Sequence, residues 1–508
     1  MHYDEETQDT FVTDHLQADL GGRSVRGGMM TFASQGTQFL IQSVATVVLA
    51  RLLVPADFGL VAMVTAITGL AQSFADLGLS EATIQNPEID HSQVSILFWI
   101  NVAVGAGLTA VTALLAPVIA WFYGDHRLLD ITLLSSLAFL IGGLRVQHDA
   151  LLKRQMRFSS LAIRDVTGYL VAVPSAIFMA WKGAGYWAII ALPLILNSVV
   201  MLLSWVMVRW IPGPPRRGVK VRSLISFGGN VAASYLTLTG IRSADNILIG
   251  WYWGASPLGL YSRAYNLLLL PIKQLSTPLA GVVIPALSRI QDAPERLARY
   301  YLRAVNLMLW MSAPLFGFLF AAATPVIVLA LGNQWRDAAP VFRILSIFAM
   351  GQLLVESTVW LLISRGASRR LFKAVLIMSP IILCSYAIGL PFGIRGVAMS
   401  GSIVQLAILP WLLKFSFQGT SLGLKGLMMS IVRPISVAIS GVLLAQVVAR
   451  TFESQGIAMQ LLQAVGSCVS AFLISLLVPG IRHELNDILD TLRKAVSQRW
   501  PKPAESSC

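Results

Sequence analysis

The stretch LISFGGNVAASYLTLTGIRSADNILIGWYW, residues 224–253, is long enough to cross a bilayer and carries charge in its second half. Arg242, Asp245 and Asn246 follow one another at i, i+3 and i+4, so they share one helical face. A charged side chain near the bilayer centre costs roughly 2.5 to 3.5 kcal/mol and is tolerated where it faces a bundle interior or a wet cavity. This face therefore predicts a polar cavity between helices.

The next apolar run, residues 258–287, also carries polar side chains at depth. Arg263, Asn266 and Lys273 lie within it, together with two prolines at positions 271 and 278. Prolines in a span loosen the backbone, and this is tolerated where water or polar neighbours satisfy the freed groups. The two runs together predict a cavity that is cationic as well as polar.

The composition is typical of an integral membrane protein. Hydrophobic residues make up 56% and charged residues 12% of the 508-residue chain, whereas soluble domains carry about 25% charged residues. The net charge of +13 raises the question of a nucleic-acid partner. The basic residues lie between apolar runs, however, so we expect no nucleic acid to bind.

Apolar runs of about 20 residues or more recur along the chain and predict about 14 transmembrane helices in an all-α polytopic membrane protein. They cover residues 29–53, 58–77, 94–122, 129–152, 161–181, 185–208, 224–253, 258–287, 304–331, 339–364, 371–392, 397–417, 427–448 and 459–478. The tryptophans near the ends of these runs, Trp210 among them, are expected to form interfacial belts.

The distribution of lysine and arginine predicts the orientation. If the N-terminus is inside, inner connections hold basic clusters such as those at residues 153–157, 216–222 and 296–303, and outer connections hold isolated residues such as Arg127 and Lys182. Basic residues are retained on the cytoplasmic side. We therefore expect a multi-pass protein with both termini in the cytoplasm.

An internal repeat predicts two lobes. The segment DFGL at residues 57–60 corresponds to PLGL at residues 257–260, an offset of about two hundred residues. Six spans separate the two copies, so both have the same membrane orientation, as in transporters built from parallel repeats. The first helix of each lobe is then expected to line a cavity, and the helix that carries Gln38 and Gln42 is the counterpart of the charged helix at residues 224–253.

These features divide the chain into six segments. They are a disordered acidic cytoplasmic tail (1–28), an N-terminal six-helix lobe (29–208), a basic cytoplasmic linker (209–223), a C-terminal six-helix lobe (224–417), two further transmembrane helices (418–479) and a cytoplasmic tail (480–508). The last tail reads equally as an amphipathic helix on the membrane surface or as a solvated terminal helix.

Several motifs resemble those of a known family. The segments LARLLVPADFG (49–59), LLKRQMRF (151–158), LGLYSRAYNL (258–267) and PALSRIQ (285–291) are similar to Wzx-type polysaccharide flippases. These belong to the multidrug/oligosaccharidyl-lipid/polysaccharide (MOP) exporter superfamily. The resemblance extends from about residue 29 to residue 370. Within the superfamily it is greatest to exporters of exopolysaccharide units of the colanic-acid and succinoglycan kind.

The resemblance implies a fold, a substrate and partners. The fold is MATE-like, with two six-helix lobes and two additional C-terminal helices. The substrate is an undecaprenyl-pyrophosphate-linked oligosaccharide, which alternating access of the lobes moves from the inner to the outer leaflet of the bacterial inner membrane. The partners are membrane lipids and possible polymerase and copolymerase proteins of the same pathway. We expect no metal site and no cofactor.

Arg242 and Lys273 are our first candidates for contacts with pyrophosphate, because arginine offers phosphate a bidentate fork and lysine a point charge. Asp245 would orient Arg242 or exchange a proton or cation. The alternative is that Arg242 and Asp245 form a buried pair that only fixes helix packing. Asn246 and Asn266 complete the expected cavity lining, and Arg263 either joins them or snorkels to the outer interface.

Further candidates for a cavity or gate lie in other spans. Gln352 and Glu356 are four residues apart in one run, and a hydrogen bond between helices is the ordinary alternative for them. Arg145 lies near the inner end of the fourth run, close to two other titratable residues, His148 and Asp149, where either a lipid-phosphate gate or a solvated helix end is expected. Arg164 and Asp165 are expected at the interface.

Other functions remain as alternatives. Polysaccharide polymerases and ligases carry large outer loops with catalytic residues, and no outer loop here is longer than about ten residues, so we expect no enzyme and no catalytic residue. The cysteines and histidines lack ligand spacing, and no Walker-type phosphate loop is present. A lipid II flippase and a cation-coupled multidrug exporter of the same superfamily stay open.

Overall fold

The computed structural model describes residues 20–72, 80, 83–84, 89–215, 243–451, 456–484 and 486. Most of the acidic N-terminal tail, the second half of the basic linker and most of the C-terminal tail lie outside these residues. So does Arg242, with the greater part of the predicted seventh span.

Every regular element in the described residues is a helix. The helices of nine residues or more are α1 (Leu20–Leu52), α2 (Pro55–Gln72), α3 (His91–Tyr123), α4 (Arg127–Arg154), α5 (Phe158–Trp181), α6 (Tyr186–Val208), the described part of α7 (243–253), α8 (Ala255–Ser288), α9 (Pro294–Ala321), α10 (Ala323–Leu331), α11 (Ala339–Ser364), α12 (Ser368–Gly389), α13 (Gly393–Phe417), α14 (Leu424–Thr451) and α15 (Ile457–Ser475). Two short 3₁₀ helices, Asn333–Ala338 and Leu390–Phe392, precede α11 and α13.

The all-α membrane architecture is confirmed. Within the described ranges, ten helical segments are long and apolar enough to cross a membrane, and the longest, Ser368–Phe417, combines α12 and α13. The helix bounds follow most of the predicted apolar runs closely, but the run predicted at residues 304–331 is divided between α9 (Pro294–Ala321) and α10 (Ala323–Leu331). The count of fourteen spans stays a prediction, because α1 and α2 are not among the ten and α7 is described only in part.

Local signals in the sequence set the ends of α3. At its start, the Asp90 side chain accepts a hydrogen bond from the Gln93 N–H at 2.7 Å, and the Gln93 side chain accepts one from the Asp90 N–H at 3.1 Å. This capping box satisfies two N–H groups that a helix start leaves unpaired. At its end, Gly124 adopts a left-handed conformation with φ of 68° and closes the helix.

The chain divides into two compact units, Met1–Ser262 and Arg263–Cys508. In the first unit, α1 packs on α5, α3 packs on α4, and α6 packs on both α4 and α5. In the second unit, α9 packs on α11 and α14, α13 packs on α11 and α12, and α15 packs on α14.

The segment after α6 folds back onto the first unit. Trp210 is 1% exposed, and its indole donates a hydrogen bond to His91 Nδ1 at 3.0 Å. The Trp210 carbonyl lies 3.2 Å from the Nε2 atom of His148, and the Gly213 N–H donates to the Ser95 hydroxyl at 2.9 Å. The interfacial placement predicted for Trp210 is therefore wrong. The start of the linker is part of the packed unit.

Candidate functional site

Asp245 and Asn246 are the described residues of the charged face predicted for the seventh span. Asp245 is 3% exposed, and its carboxylate accepts hydrogen bonds from the Tyr261 hydroxyl at 2.8 Å and from the Asn246 N–H at 2.7 Å. The side-chain oxygen of Asn246 is buried without a hydrogen-bond partner among the described residues. Asp245 thus has a partner on α8 that the sequence did not indicate. The predicted role of Asp245 toward Arg242 stays untested.

The polar residues of α8 differ in exposure. Arg263 is half-buried, whereas Asn266 and Lys273 are exposed. Asn266 and Lys273 are seven residues apart, which is two helical turns, so they lie on one face of α8. Neither forms a hydrogen bond or an ion pair with another described residue. This face of α8 therefore presents an amide and an unpaired cation.

The polar pair predicted in the tenth span is extended by a third residue. The Gln352 side chain donates to Glu356 at 3.2 Å, and the Gln405 amide on α13 donates to Gln352 at 2.8 Å. Gln405 is 8% exposed. The three side chains tie α11 to α13 by hydrogen bonds, so the ordinary alternative stated for Gln352 and Glu356 is what the contacts support. Gln405 was missed, although its place in the middle of an apolar run was a signal.

The glutamines of α1 make fewer contacts with the other candidate residues than the sequence predicted. Gln38 is half-buried, and its amide donates to the Ser34 hydroxyl within α1 at 2.9 Å. Gln42 is exposed. Neither contacts another candidate residue through a hydrogen bond among the described residues.

A network of charged side chains lies between α4, α5 and α6. The Arg164 guanidinium forms an ion pair with Asp149, donates to the Ser204 hydroxyl at 2.8 Å and forms a second ion pair with Asp165 at 2.8 Å. Ser204 in turn donates to Asp149 at 3.0 Å. The Arg164 side chain is only 6% exposed, so it is enclosed by protein, and its predicted level at the membrane interface stays a prediction.

Arg145 sits at the edge of this network. Its Nε atom is 3.2 Å from Asp149, which is close enough for an ion pair but is not aligned for a hydrogen bond. Its Nη1 atom donates to Asn197 at 3.2 Å. The Arg145 side chain is 28% exposed. Two arginines and two aspartates thus balance one another, and only Arg145 among the arginines is open to solvent.

The solvated helix end that was one alternative for this region is wrong for His148, which is fully buried. Its ring stacks on Trp205 with centroids 4.4 Å apart. Sequence reasoning missed Asn197 and Ser204, which are polar residues within the sixth apolar run. Their depth in that run was the available signal.

An apolar groove runs between α9, α11, α13 and α14 in the second unit. Its volume is about 570 Å³, and its lining includes Phe316, Met350, Leu406 and Ile435. Such a surface suits hydrocarbon chains, because it offers them no polar group that would have to lose water.

A profile for polysaccharide biosynthesis proteins matches residues 48–340, which is more than half of the chain. The chain belongs to this family. The teichuronic acid biosynthesis protein TuaB of Bacillus subtilis (strain 168) is 25% identical over 375 residues, covering 72% of this chain and 77% of that protein. The succinoglycan biosynthesis transport protein ExoT of Rhizobium meliloti (strain 1021) is 26% identical over 328 residues, covering 63% and 65%.

Solved structures agree with the fold. The lipid II flippase MurJ in an inward closed conformation matches with a TM-score of 0.67 at 14% identity, covering 89% of this chain and 99% of that one. An inward-facing multidrug transporter of the MATE family in the MOP superfamily matches with a TM-score of 0.53 at 11% identity, covering 79% and 95%. The MATE-like fold is confirmed, whereas its division into two six-helix lobes and two further helices stays a prediction. Together with the family, it makes the chain a multi-pass membrane protein of polysaccharide biosynthesis.

Proposed function

We propose that this protein moves undecaprenyl-pyrophosphate-linked oligosaccharide repeat units from the inner to the outer leaflet of the bacterial inner membrane. The two lobes would open alternately to the two sides, with both termini in the cytoplasm. Membership of the polysaccharide biosynthesis family supports the glycan part of this proposal. A polymerase and a copolymerase of the same pathway are its expected partners.

The exposed cation Lys273 is the observation that carries the proposal. It is near the middle of α8, a helix of 34 residues that is about 51 Å long at 1.5 Å per residue. A lysine at that depth costs roughly 2.5 to 3.5 kcal/mol unless it meets water or an anion. Since Lys273 has no acidic partner among the described residues, a substrate anion can fill that role.

The chemistry of a lipid pyrophosphate fits this face of α8. The ammonium group of Lys273 acts as a point charge toward phosphate oxygens, and the amide of Asn266 can both donate and accept hydrogen bonds with phosphate or sugar hydroxyls. Arg242, which lies outside the described residues, is proposed as a second phosphate contact. Asp245 and Asn246 are proposed to stand beside it.

The remaining candidate residues are given supporting roles. Gln352 and Glu356 are proposed to hold the second lobe's helices in register, and Arg263, Gln38 and Gln42 to border the glycan path. The polyprenyl chain of the substrate remains in the membrane, where hydrocarbon contacts of the kind offered by the apolar groove are available.

The proposal is tested by mass spectrometry of lipid-linked oligosaccharides in cells that lack the protein, together with an assay of polymer outside the cells. We expect one complete lipid-linked repeat unit to accumulate and the external polymer to disappear. Accumulation of the peptidoglycan precursor would favour a lipid II flippase. Normal lipid pools with altered drug tolerance would favour a multidrug exporter.

Complementation with variants tests the site. Lys273→Ala should fail to restore polymer at a normal protein level, whereas Lys273→Arg should restore part of it because the positive charge is retained. Lys182→Ala is the matched control, because Lys182 is an exposed lysine that follows α5 and lies over the Trp181 ring at 4.8 Å. Wild-type export by Lys273→Ala would refute the site.

A further inference from the structure

Two arginines of the second unit hold the same backbone oxygen. The Arg365 guanidinium donates hydrogen bonds to the carbonyls of Gln418 at 3.1 Å and Gly419 at 2.9 Å. The Arg370 guanidinium donates to the Gln418 carbonyl at 2.7 Å, so the two Nη1 atoms lie within about 6 Å of each other. Both side chains are half-buried, and neither forms an ion pair with a carboxylate among the described residues. We call Arg365 and Arg370 the arginine pair.

The arginine pair carries positive charge that nearby sequence does not balance. Residues 357–452 contain nine lysines and arginines and no aspartate or glutamate. The loop that holds the pair also contacts the start of α9, where the Ser421 hydroxyl donates to the Pro294 carbonyl at 2.7 Å, and residues 292–299 there carry two charges of each sign. Burial and the guanidinium of the second arginine lower the pKa of Arg365. Two cations held together without a carboxylate favour an anion beside them.

The apolar groove of the second unit ends beside this loop. Residues 418–423 connect α13 to α14, and both helices line the groove. Leu413, five residues before the loop, and Leu424, directly after it, belong to the lining. Because α14 packs on α9 whereas α13 packs on α11, the groove separates the two packed pairs. The arginine pair therefore lies at one end of the groove, about one or two helical turns beyond the nearest apolar lining.

The size of the groove suits one acyl chain. A methylene group in liquid hydrocarbon occupies about 27 Å³, so a chain of about 18 carbons needs about 500 Å³. The groove has a volume of about 570 Å³. A polyprenyl chain of about 55 carbons needs about three times the volume of the acyl chain. The groove therefore favours a phospholipid chain over the whole tail of the proposed substrate.

We propose that one phospholipid with an anionic headgroup binds the second unit, with its phosphate on the arginine pair and one acyl chain in the apolar groove. A guanidinium has five N–H donors, so each arginine keeps donors for phosphate oxygens after binding the loop carbonyls. Exposed Arg369, Lys414 and Lys425 at the same end of these helices add attraction for a headgroup with net negative charge.

The distribution of basic residues places this end of the helices on the cytoplasmic side, so the lipid comes from the inner leaflet. Its chain would fill the space between the α9–α14 and α11–α13 pairs and fix their separation. This inference goes beyond the proposed function and does not depend on it.

Binding is measured on the full chain, purified in detergent and stripped of lipid, with added phosphatidylglycerol and native mass spectrometry. One phosphatidylglycerol should stay bound to the wild type. Arg365→Gln with Arg370→Gln should weaken binding at least about tenfold, because the charge is lost while an amide can still donate to the loop. Arg336→Gln with Arg395→Gln is the matched control and should bind like the wild type, since these exposed arginines lie at the opposite ends of α11 and α13.

A second pair of variants leaves the arginine pair in place. Met428 lines the groove, whereas its neighbour Met429 does not, and both are exposed. Met428→Trp should fill the groove and weaken binding at least about tenfold, and Met429→Trp should bind like the wild type. Equal binding by the two tryptophan variants, or by the two double glutamine variants, would overturn the proposal.

Competition identifies the ligand. Undecaprenyl phosphate and inorganic phosphate, each in about tenfold excess, should leave phosphatidylglycerol bound, and phosphatidylethanolamine should bind more weakly because its headgroup has no net charge. Displacement by undecaprenyl phosphate would make this a substrate site, and displacement by inorganic phosphate would make it a site for a soluble anion. Either result would overturn the proposal. Since binding is measured without transport, its failure would leave the proposed function standing.

Discussion

Replacing Arg164 should destabilise the protein far more than replacing Arg145, although both arginines contact the same aspartate. Methionine is the chosen substitute because it keeps an unbranched apolar chain and removes the charge. Arg164 is 6% exposed and binds Asp149, Asp165 and Ser204, whereas Arg145 is 28% exposed and its ion pair is not aligned for a hydrogen bond.

The loss of stability expected for each arginine substitution depends on how deeply the ion pair is buried. Removing one partner of a buried ion pair costs about 3 to 5 kcal/mol, because the other charge is left uncompensated, and Asp149 is only 16% exposed. The Arg145–Asp149 pair is partly exposed and is not aligned for a hydrogen bond, so its contribution should lie nearer to the roughly 0.2 to 1 kcal/mol of an exposed pair. Arg164→Met should therefore lower the free energy of unfolding by several times as much as Arg145→Met.

The double variant Arg164→Met with Asp149→Leu separates this account from a simple packing defect. Replacing both members of a buried pair by apolar residues is often neutral or stabilising, so the double variant should recover most of the lost stability. The measurement is the apparent Tm in detergent from tryptophan fluorescence, which the 13 tryptophans make strong. Equal losses for the two single methionine variants, or no recovery in the double variant, would refute the reasoning.

Three further predictions rest on single contacts. Tyr261→Phe removes a hydrogen bond from the buried carboxylate of Asp245 and should cost about 1 to 3 kcal/mol, seen as a lower apparent Tm; an unchanged Tm would contradict it. Asp90→Ala removes the cap of α3 and should cost about 1 kcal/mol, whereas Asp90→Ser should retain most of the stability because serine also caps. The hydrogen bond from Arg127 lowers the pKa of Asp125, so this pair adds stability at neutral pH that is lost as the pH falls below about 4. Asp125→Asn should therefore cost less than about 1 kcal/mol at pH 7 and nothing in acid, and a cost that grows on acidification would contradict it.

The membrane architecture could be predicted because bilayer thickness fixes the length of an apolar helix. The run predicted at residues 339–364 coincides with α11, and the run predicted at 185–208 differs from α6 by one residue at its start. In these two helices the apolar run and the helix end at nearly the same residue, because polar side chains begin where the span reaches water.

The partners of the polar side chains could not be predicted. Arg164 lies at the start of α5, where the sequence alone indicates the interface, yet α4 and α6 bring Asp149 and Ser204 to it. Trp210 follows a span and is buried because the linker folds back onto His91. These outcomes depend on contacts between residues 15 to 119 positions apart, which local pattern does not encode.

The sequence by itself determined the class of the protein, the extent of most of its helices and its family, because hydropathy and short motifs are local properties of the chain. It also indicated Lys273 and Asn266, since a polar side chain within an apolar run is visible in the sequence and is costly in a bilayer unless water or a polar partner meets it. Only the tertiary structure decided which polar groups neutralise each other and which helices enclose the apolar groove. Both depend on contacts between residues that are far apart in the sequence, and such contacts form only when the helices pack together.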